Sequence, residues 1–493
     1  MRISYGAIAV IFFILLSCES QQKKDERIAK QYCTNCHTFP EPHLLDKKSW
    51  EKTVLPEMAF RMGLDVSKLS TIPLDDQDAV VSALFTSKIS QQQWEAIKRY
   101  YAENSPDTIY ASNPEIKDTI KQFTAIPYEL PRRSFGLTTL IVADTLHHKI
   151  YVGTRNSKLY EFNTEFTLQD SFALRSAPSQ LLIRENENPL ILAMGVMDPS
   201  EQARGELFHF IPKDQAVLPI LDSLQRPVYF ERADLNNDKA DDYVICAFGD
   251  YTGALLAFQS LGNGKFKKHP LINVSGARRV IIKDFDNNGF NDILALMAQG
   301  DERVVMLYNQ GNFQFRIATL LRFSPVNGSS YFEIADFNND GKFDILYTNG
   351  DNADYSPILK PYHGVHIFLN NGANDFKESW FHPMHGASQA RVNDFDKDGD
   401  LDIAAISFFP DFTQHSEQGF VYFENTPQGF KAQITPIAAT GRWLVMEMSD
   451  YDTDGDQDII LGALNFSAGV PDSVNQYWKK QKHSLLLLRN KLH

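Results

Sequence analysis

The chain has 493 residues, 43% of them hydrophobic and 22% charged, with a formal charge of −14 at neutral pH. That length calls for more than one domain, or one small and one large, and that apolar share supports real cores, which excludes wholesale disorder. The acidic balance excludes a nucleic-acid partner, because phosphate-tracking surfaces need clustered Lys and Arg.

The N-terminus reads as an export signal. Arg2 supplies a positive start, and Ala7 to Leu16 is an apolar run too short to span a bilayer comfortably. It ends in Leu15-Leu16-Ser17-Cys18, which resembles a bacterial lipobox. The resemblance implies a signal peptide over 1–17, lipid on Cys18, a polar tether over 18–27 and a cell-envelope location. The lipid would be the contact with the membrane. Of four cysteines, Cys18 is then lipidated, Cys33 and Cys36 form one unit, and Cys246 sits alone in a strand-like run as a buried, inert thiol. No disulfide framework is left.

Helical patterns occupy the next stretch. Ile28 and Tyr32 are four apart around Asp25 to Tyr32, and Trp50 and Val54 repeat that spacing over Lys47 to Val54. Ser90-Gln-Gln-Gln93 is a capping box opening a helix from Trp94 to Asn104, striped by Trp94, Ile97 and Tyr101 and stopped by Ser105-Pro106. Three short helices make a thin core unless something else fills it.

Between the first two lies Cys33-Thr-Asn-Cys36-His37. A zinc site would crowd Cys33, Cys36, His37 and His43 into one short loop, unlike known structural sites. A thioredoxin-type redox pair needs a βαβ setting, absent here. Haem fits better: two thiols three apart can reach both porphyrin vinyls, and the adjacent imidazole meets the iron. Residues 25 to 105 thus resemble small class I cytochromes c, placing an all-α cytochrome c domain at 28–106. The resemblance implies haem c held by Cys33 and Cys36, with His37 as iron ligand. A methionine is usual as sixth ligand. Met58, aimed by the helix break at Pro56, is expected, with Met62 the alternative and His43 a weaker one. Such a haem carries electrons rather than activating oxygen.

From about residue 130 strand patterns take over. Five segments share a template: Asp234–Asp242, Asp284–Asp292, Asp336–Asp344, Asp394–Asp402 and Asp450–Asp458, with starts 50, 52, 58 and 56 apart. Positions 1, 3, 5 and 9 carry oxygen ligands suited to Ca²⁺. They are Asp284, Asp286, Asn288 and Asp292; Asp336, Asn338, Asp340 and Asp344; Asp394, Asp396, Asp398 and Asp402; Asp450, Asp452, Asp454 and Asp458. The first copy, Asp234, Asn236, Asp238 and Asp242, is weaker because Lys239 replaces the usual Gly. No EF-hand Glu stands at position 12, and strand-like residues follow instead. These loops resemble FG-GAP or VCBS repeats of integrin-type propellers, across roughly 130 to 493.

Apolar strands ending at 163, 211, 259, 309, 370, 425 and 490, many on Asn, raise the count to seven units. Units one and two have short turns where the Asp loops would stand, at Ala143-Asp144-Thr145 and Arg184-Glu185-Asn186. The fold class is therefore an all-α domain followed by an all-β seven-bladed β-propeller over 131–493. The last blade runs out of chain, so residues near 118 to 127, within the linker 107–130, are expected to supply its missing strand.

The expectation is a lipid-anchored, haem-c electron-transfer protein, more carrier than enzyme, whose calcium-stabilised propeller docks a partner or ligand and whose haem relays electrons to a redox partner protein. A glycan- or protein-binding propeller with a secondary cytochrome domain is the alternative, and a propeller dehydrogenase feeding its own haem ranks last. Polar clusters at His382-Pro-Met-His385, Phe408-Phe-Pro-Asp411 and Asp351-Asn-Ala-Asp-Tyr355 read as ordinary surface loops or, less simply, as parts of a propeller-mouth site.

Overall fold

The computed structural model describes residues 19–84, 89–111, 114–131, 134–351, 356 and 358–492. The expected export signal, Cys18 and most of the 351–355 cluster lie outside these residues. No helix among them is long and apolar enough to cross a membrane.

Seven four-stranded antiparallel sheets form the bulk of the chain. Blades 1 to 6 are each built from four consecutive strands, starting with Thr138–Asp144, Lys149–Thr154, Lys158–Asn163 and Leu168–Ala173 in blade 1. The second strand of every blade is buried on both faces over most of its length, which explains near-continuous runs such as Asp292–Met297. The first strand of each blade carries a register shift at its second residue, as between Ala277 and Arg279. Blade 7 is composite. Trp443–Ser449, Asp458–Ala463 and Leu485–Asn490 are completed by Phe123–Tyr128 from the other end of the chain. Phe123 pairs with Asn490 and Tyr128 with Leu485, so the ring closes where the sequence placed the missing strand. Just upstream, Ile120 N–H donates to Ile434 O (2.9 Å) and Ile434 N–H to Asp118 O (3.0 Å), tying the same segment to blade 6.

The N-terminal helices depart from expectation in three ways. The supposed tether is helical: Gln21–Cys33 begins at the Ser20 cap, and its buried Asp25 accepts both Arg99 Nε and Nη2 (3.0 Å each). An added helix, Leu74–Ala83, carries Asp75 and Asp76 in its first turn. Pro56 does not break its helix. A wide π turn, Trp50–Val54, precedes Leu55–Arg61, and its five-residue hydrogen bond, Leu55 N–H to Trp50 O, makes room for the ring and the lost N–H. The capping box is present: Ser90 Oγ accepts from Gln93 N (3.3 Å) and Gln93 Oε1 from Ser90 N (2.8 Å). Trp94, Ile97 and Tyr101 are buried with Trp50, Val54 and Leu55, and the propeller residues Val326 and Ile358 join this core.

Candidate functional site

In an antiparallel blade, connections between strands 1 and 2 emerge on one face, and those between 2 and 3, or from strand 4 to the next blade, on the other. All five Asp loops are 1–2 connections. The helices dock on the opposite face. Thr38 Oγ1 donates to Phe323 O (2.7 Å), Ser49 Oγ meets Ser356 Oγ (2.9 Å), and Tyr362 OH donates to Leu44 O (3.2 Å). Tyr251 stacks edge-on against Phe60 (5.6 Å), lies under Arg61 (4.5 Å), donates to Glu57 Oε1 (3.1 Å) and accepts from Lys68 Nζ (2.8 Å). A polar cleft remains between the two parts, lined by Leu45, Gln299, Glu302, Val326, Ser356 and Lys360. Enclosure pushes the Glu302 carboxyl up to about 7 while Gly328 N (3.1 Å) and Ser329 N (2.7 Å) donate to it.

The Cys33–His37 segment ends the first helix beside this interface. Cys33 and His37 are half-buried and Cys36 is exposed. Burial raises the Cys33 thiol to about 11. His37 Nδ1–H donates to Thr38 O (2.8 Å), leaving Nε2 as the lone-pair nitrogen, and burial lowers the ring's pKa, so the neutral, ligand form prevails. Asp301 and Arg322 of the propeller face it. This donor set fits the attachment end of a haem c. Met58 and Met62 both pack half-buried against the helical core, so their surroundings do not rank one above the other. His43 is exposed. Cys246 is fully buried, with its thiol pKa raised by burial, as an inert residue should be.

The Asp loops share one geometry. Position 4 is left-handed in each, at Asn237, Asn287, Asn339, Lys397 and Thr453, and position 6 likewise at Gly289, Gly341, Gly399 and Gly455. Lys239 holds the same left-handed shape (φ 70°) and its N–H donates to Asp234 Oδ2 (2.7 Å), as Gly289 does to Asp284 (2.9 Å). The first loop therefore keeps the fold of the others despite its substitution. Position 9 has a second duty. Asp242, Asp292, Asp344 and Asp402 each accept the N–H of loop position 2 on one oxygen and an N–H at the end of the third strand on the other.

Three loops gather the carboxylates of positions 1, 3 and 9 within 4.8 Å: Asp284, Asp286 and Asp292; Asp394, Asp396 and Asp402; Asp450, Asp452 and Asp458. The loops at 234 and 336, each with Asn at position 3, do not gather three. In the last loop Asp450 Oδ1, Asp452 Oδ1, Asp458 Oδ2 and both Asp456 oxygens are buried without a hydrogen-bond partner. Unpaired buried carboxylate oxygens converging in this way fit a hard cation. Asp456, and its counterpart Asp400 with Oδ1 likewise unpartnered, stand at position 7, where a backbone carbonyl is usual, so the spacing template passed over them.

The Phe408-Phe-Pro-Asp411 cluster has a structural task. Phe408 (3.9 Å) and Phe409 (4.4 Å) face the Arg442 guanidinium, which donates to the carbonyls of Phe408 (2.7 Å) and Phe466 (2.6 Å). Burial lowers Arg442 to about 10.

The sequence signature of the FG-GAP-like repeat matches residues 284–347. No curated protein sequence matches the chain. Similar solved structures include the WD40 domain of Neurospora crassa Pan2, 12% identical, covering 77% of this chain and 99% of that chain at TM-score 0.46. Saccharomyces cerevisiae Sqt1 is 7% identical, covering 77% and 100% at TM-score 0.44.

Proposed function

We propose that this chain is a haem-c-binding electron-transfer protein of the cell envelope, lipid-anchored at Cys18, with a calcium-stabilised propeller that docks a partner. The FG-GAP-like repeat and the propeller suit protein or ligand docking; the electron-carrying part is the further step. The observation that supports it is the His37 imidazole, oriented by the Thr38 carbonyl with its other nitrogen free, following the Cys33 thiol at the helix end and the Cys36 thiol in the turn after it. Bound there, haem c would supply a one-electron carrier. Cys33 and Cys36 would anchor it, His37 would ligate it, and Met58, or else Met62, would complete the iron.

The rest follows from this chain's own residues. The docked helices bring Asp301 and Arg322 to the Cys36–His37 segment, so the propeller sets part of the charge around it. Ca²⁺ would be held by the Asp loops on the far face, most completely by Asp450, Asp452, Asp456 and Asp458.

Expression with cytochrome c maturation machinery tests the reading. A reduced α-band and covalent haem, both lost in Cys36→Ser, are expected, with the methionine–iron charge-transfer band lost in Met58→Ala. Absence of any α-band sinks the electron-transfer reading, and a band lost in Met62→Ala instead reassigns the sixth ligand.

A further inference from the structure

Two histidines on the helix-bearing face of blade 5 serve none of the roles described so far. His363 directly precedes the third strand, Gly364–Asn370, and His385 follows the outer strand, Phe376–Pro383. Gly364 and Pro383 are paired in register, and Met384 N–H donates to His363 O (3.0 Å). The two side chains thus leave neighbouring backbone at one end of one blade.

His363 is 0% and His385 2% exposed, and all four ring nitrogens are buried without a hydrogen-bond partner. The Asn327 carbonyl faces His363 without completing a hydrogen bond. Unpaired polar atoms in a packed interior are costly, and two such rings, near enough for His385 to act electrostatically on His363, call for a ligand. Both rings are held neutral: burial drives His363 far below its ordinary range and His385 to about 4. Neutral imidazole is the form that binds metals. Among the charges nearby, Asp411 favours a cation at His385, and Lys360, whose ammonium donates to Ser356 O (3.1 Å), opposes one.

We propose that His363 and His385 bind an imidazole-preferring divalent metal ion of the Zn²⁺ class at the junction of blades 5 and 6. The site does not depend on the haem reading. Among the described residues, three or more metal-ligating side chains with donor atoms within 4.8 Å occur only in the Asp loops, so this pair leaves coordination positions open to water or a small ligand. The oxygen-rich loops on the opposite face select a hard ion, and the imidazoles a softer one, so both can be filled together.

The test uses the full chain with thiols alkylated or haem-capped and the Asp loops saturated with Ca²⁺. After zinc loading and exhaustive dialysis against calcium buffer, elemental analysis should find one zinc per chain. His363→Asn and His385→Asn should each lose it while keeping the wild-type melting midpoint measured without zinc. Zinc content unchanged in both variants overturns the proposal. Should an Asn variant fail to fold, the wild type decides: zinc must raise its melting midpoint, and no bound zinc with no shift overturns the site.

Discussion

At the scale of single residues, burial decides more than residue type. His382 invited a catalytic reading, yet it packs against Phe423 (4.7 Å) and Trp380 (6.1 Å), and burial lowers its pKa to about 4. Unfolded, the same imidazole titrates near 6.5. As pH falls from about 7 to 5, the unfolded chain takes up a proton that the folded chain refuses, so stability drops, by roughly 1–2 kcal/mol at pH 5 for this one group. His382→Phe should be less sensitive. Denaturant midpoints of both proteins at pH 7 and 5 check this, and a wild-type-to-variant difference that does not change with pH refutes it. Nothing in the sequence separated His382 from its neighbour His385: the structure half-buries the first and buries the second, and only contacts made across the blades distinguish a packed ring from an unpartnered one.

At the scale of elements, the nine-residue loop is legible and its wiring is not. Spacing alone found positions 1, 3, 5 and 9 and the glycine at position 6, which the structure shows to be left-handed. It also found strands ending in Asn, without a reason. The structure supplies one: Asn309 Nδ2 donates to Leu235 O (2.8 Å) and Asn490 Nδ2 to Phe395 O (2.9 Å), each reaching the loop of the preceding blade. Their N–H groups meanwhile donate to Asp292 (2.7 Å) and Asp458 (2.8 Å) of their own blade. In blades 4 and 7, Asp at position 9 and Asn at the strand end are therefore one inter-blade staple. In blade 6, Asp402→Ala would strand the N–H groups of Phe395 and Asn425 and the Tyr422 hydroxyl. We expect a loss of about 3 kcal/mol or more, measured by denaturant unfolding in chelator, where no metal contributes. Separately, adding Ca²⁺ should raise the melting midpoint of the wild type, and the Asp452→Asn, Asp456→Asn double variant should lose part of that rise. A rise undiminished in the double variant removes the last loop from the list of sites.

At the scale of the whole molecule, seven units and the closing strand were countable from the chain, because strand spacing and a missing partner are both local patterns. The docking of the helices was not, since Tyr251, Ser356 and Val326 carry no periodic signal and meet their partners only after the ring has formed. Closure concentrates stability in few contacts. Phe123 is buried against Phe395 and Tyr422 (5.4 Å each), inside the core shared by blades 6 and 7. Phe123→Ala should cost about 3–5 kcal/mol and open the ring before other blades unfold. Hydrogen exchange would show this as faster exchange in Phe123–Tyr128 and Leu485–Asn490 than in blade 4, and uniform exchange across all blades would contradict it.

That composite seventh blade also sets a timetable for synthesis. Blades 1 to 6 can assemble as their strands emerge from the ribosome, each from consecutive residues. Phe123–Tyr128, made before all of them, has to wait with its edge open until Leu485–Asn490 arrives. A polypeptide cut short before Leu485 would carry six complete blades and still be unable to seal, so Leu485–Asn490 acts as a checkpoint on every blade made before it.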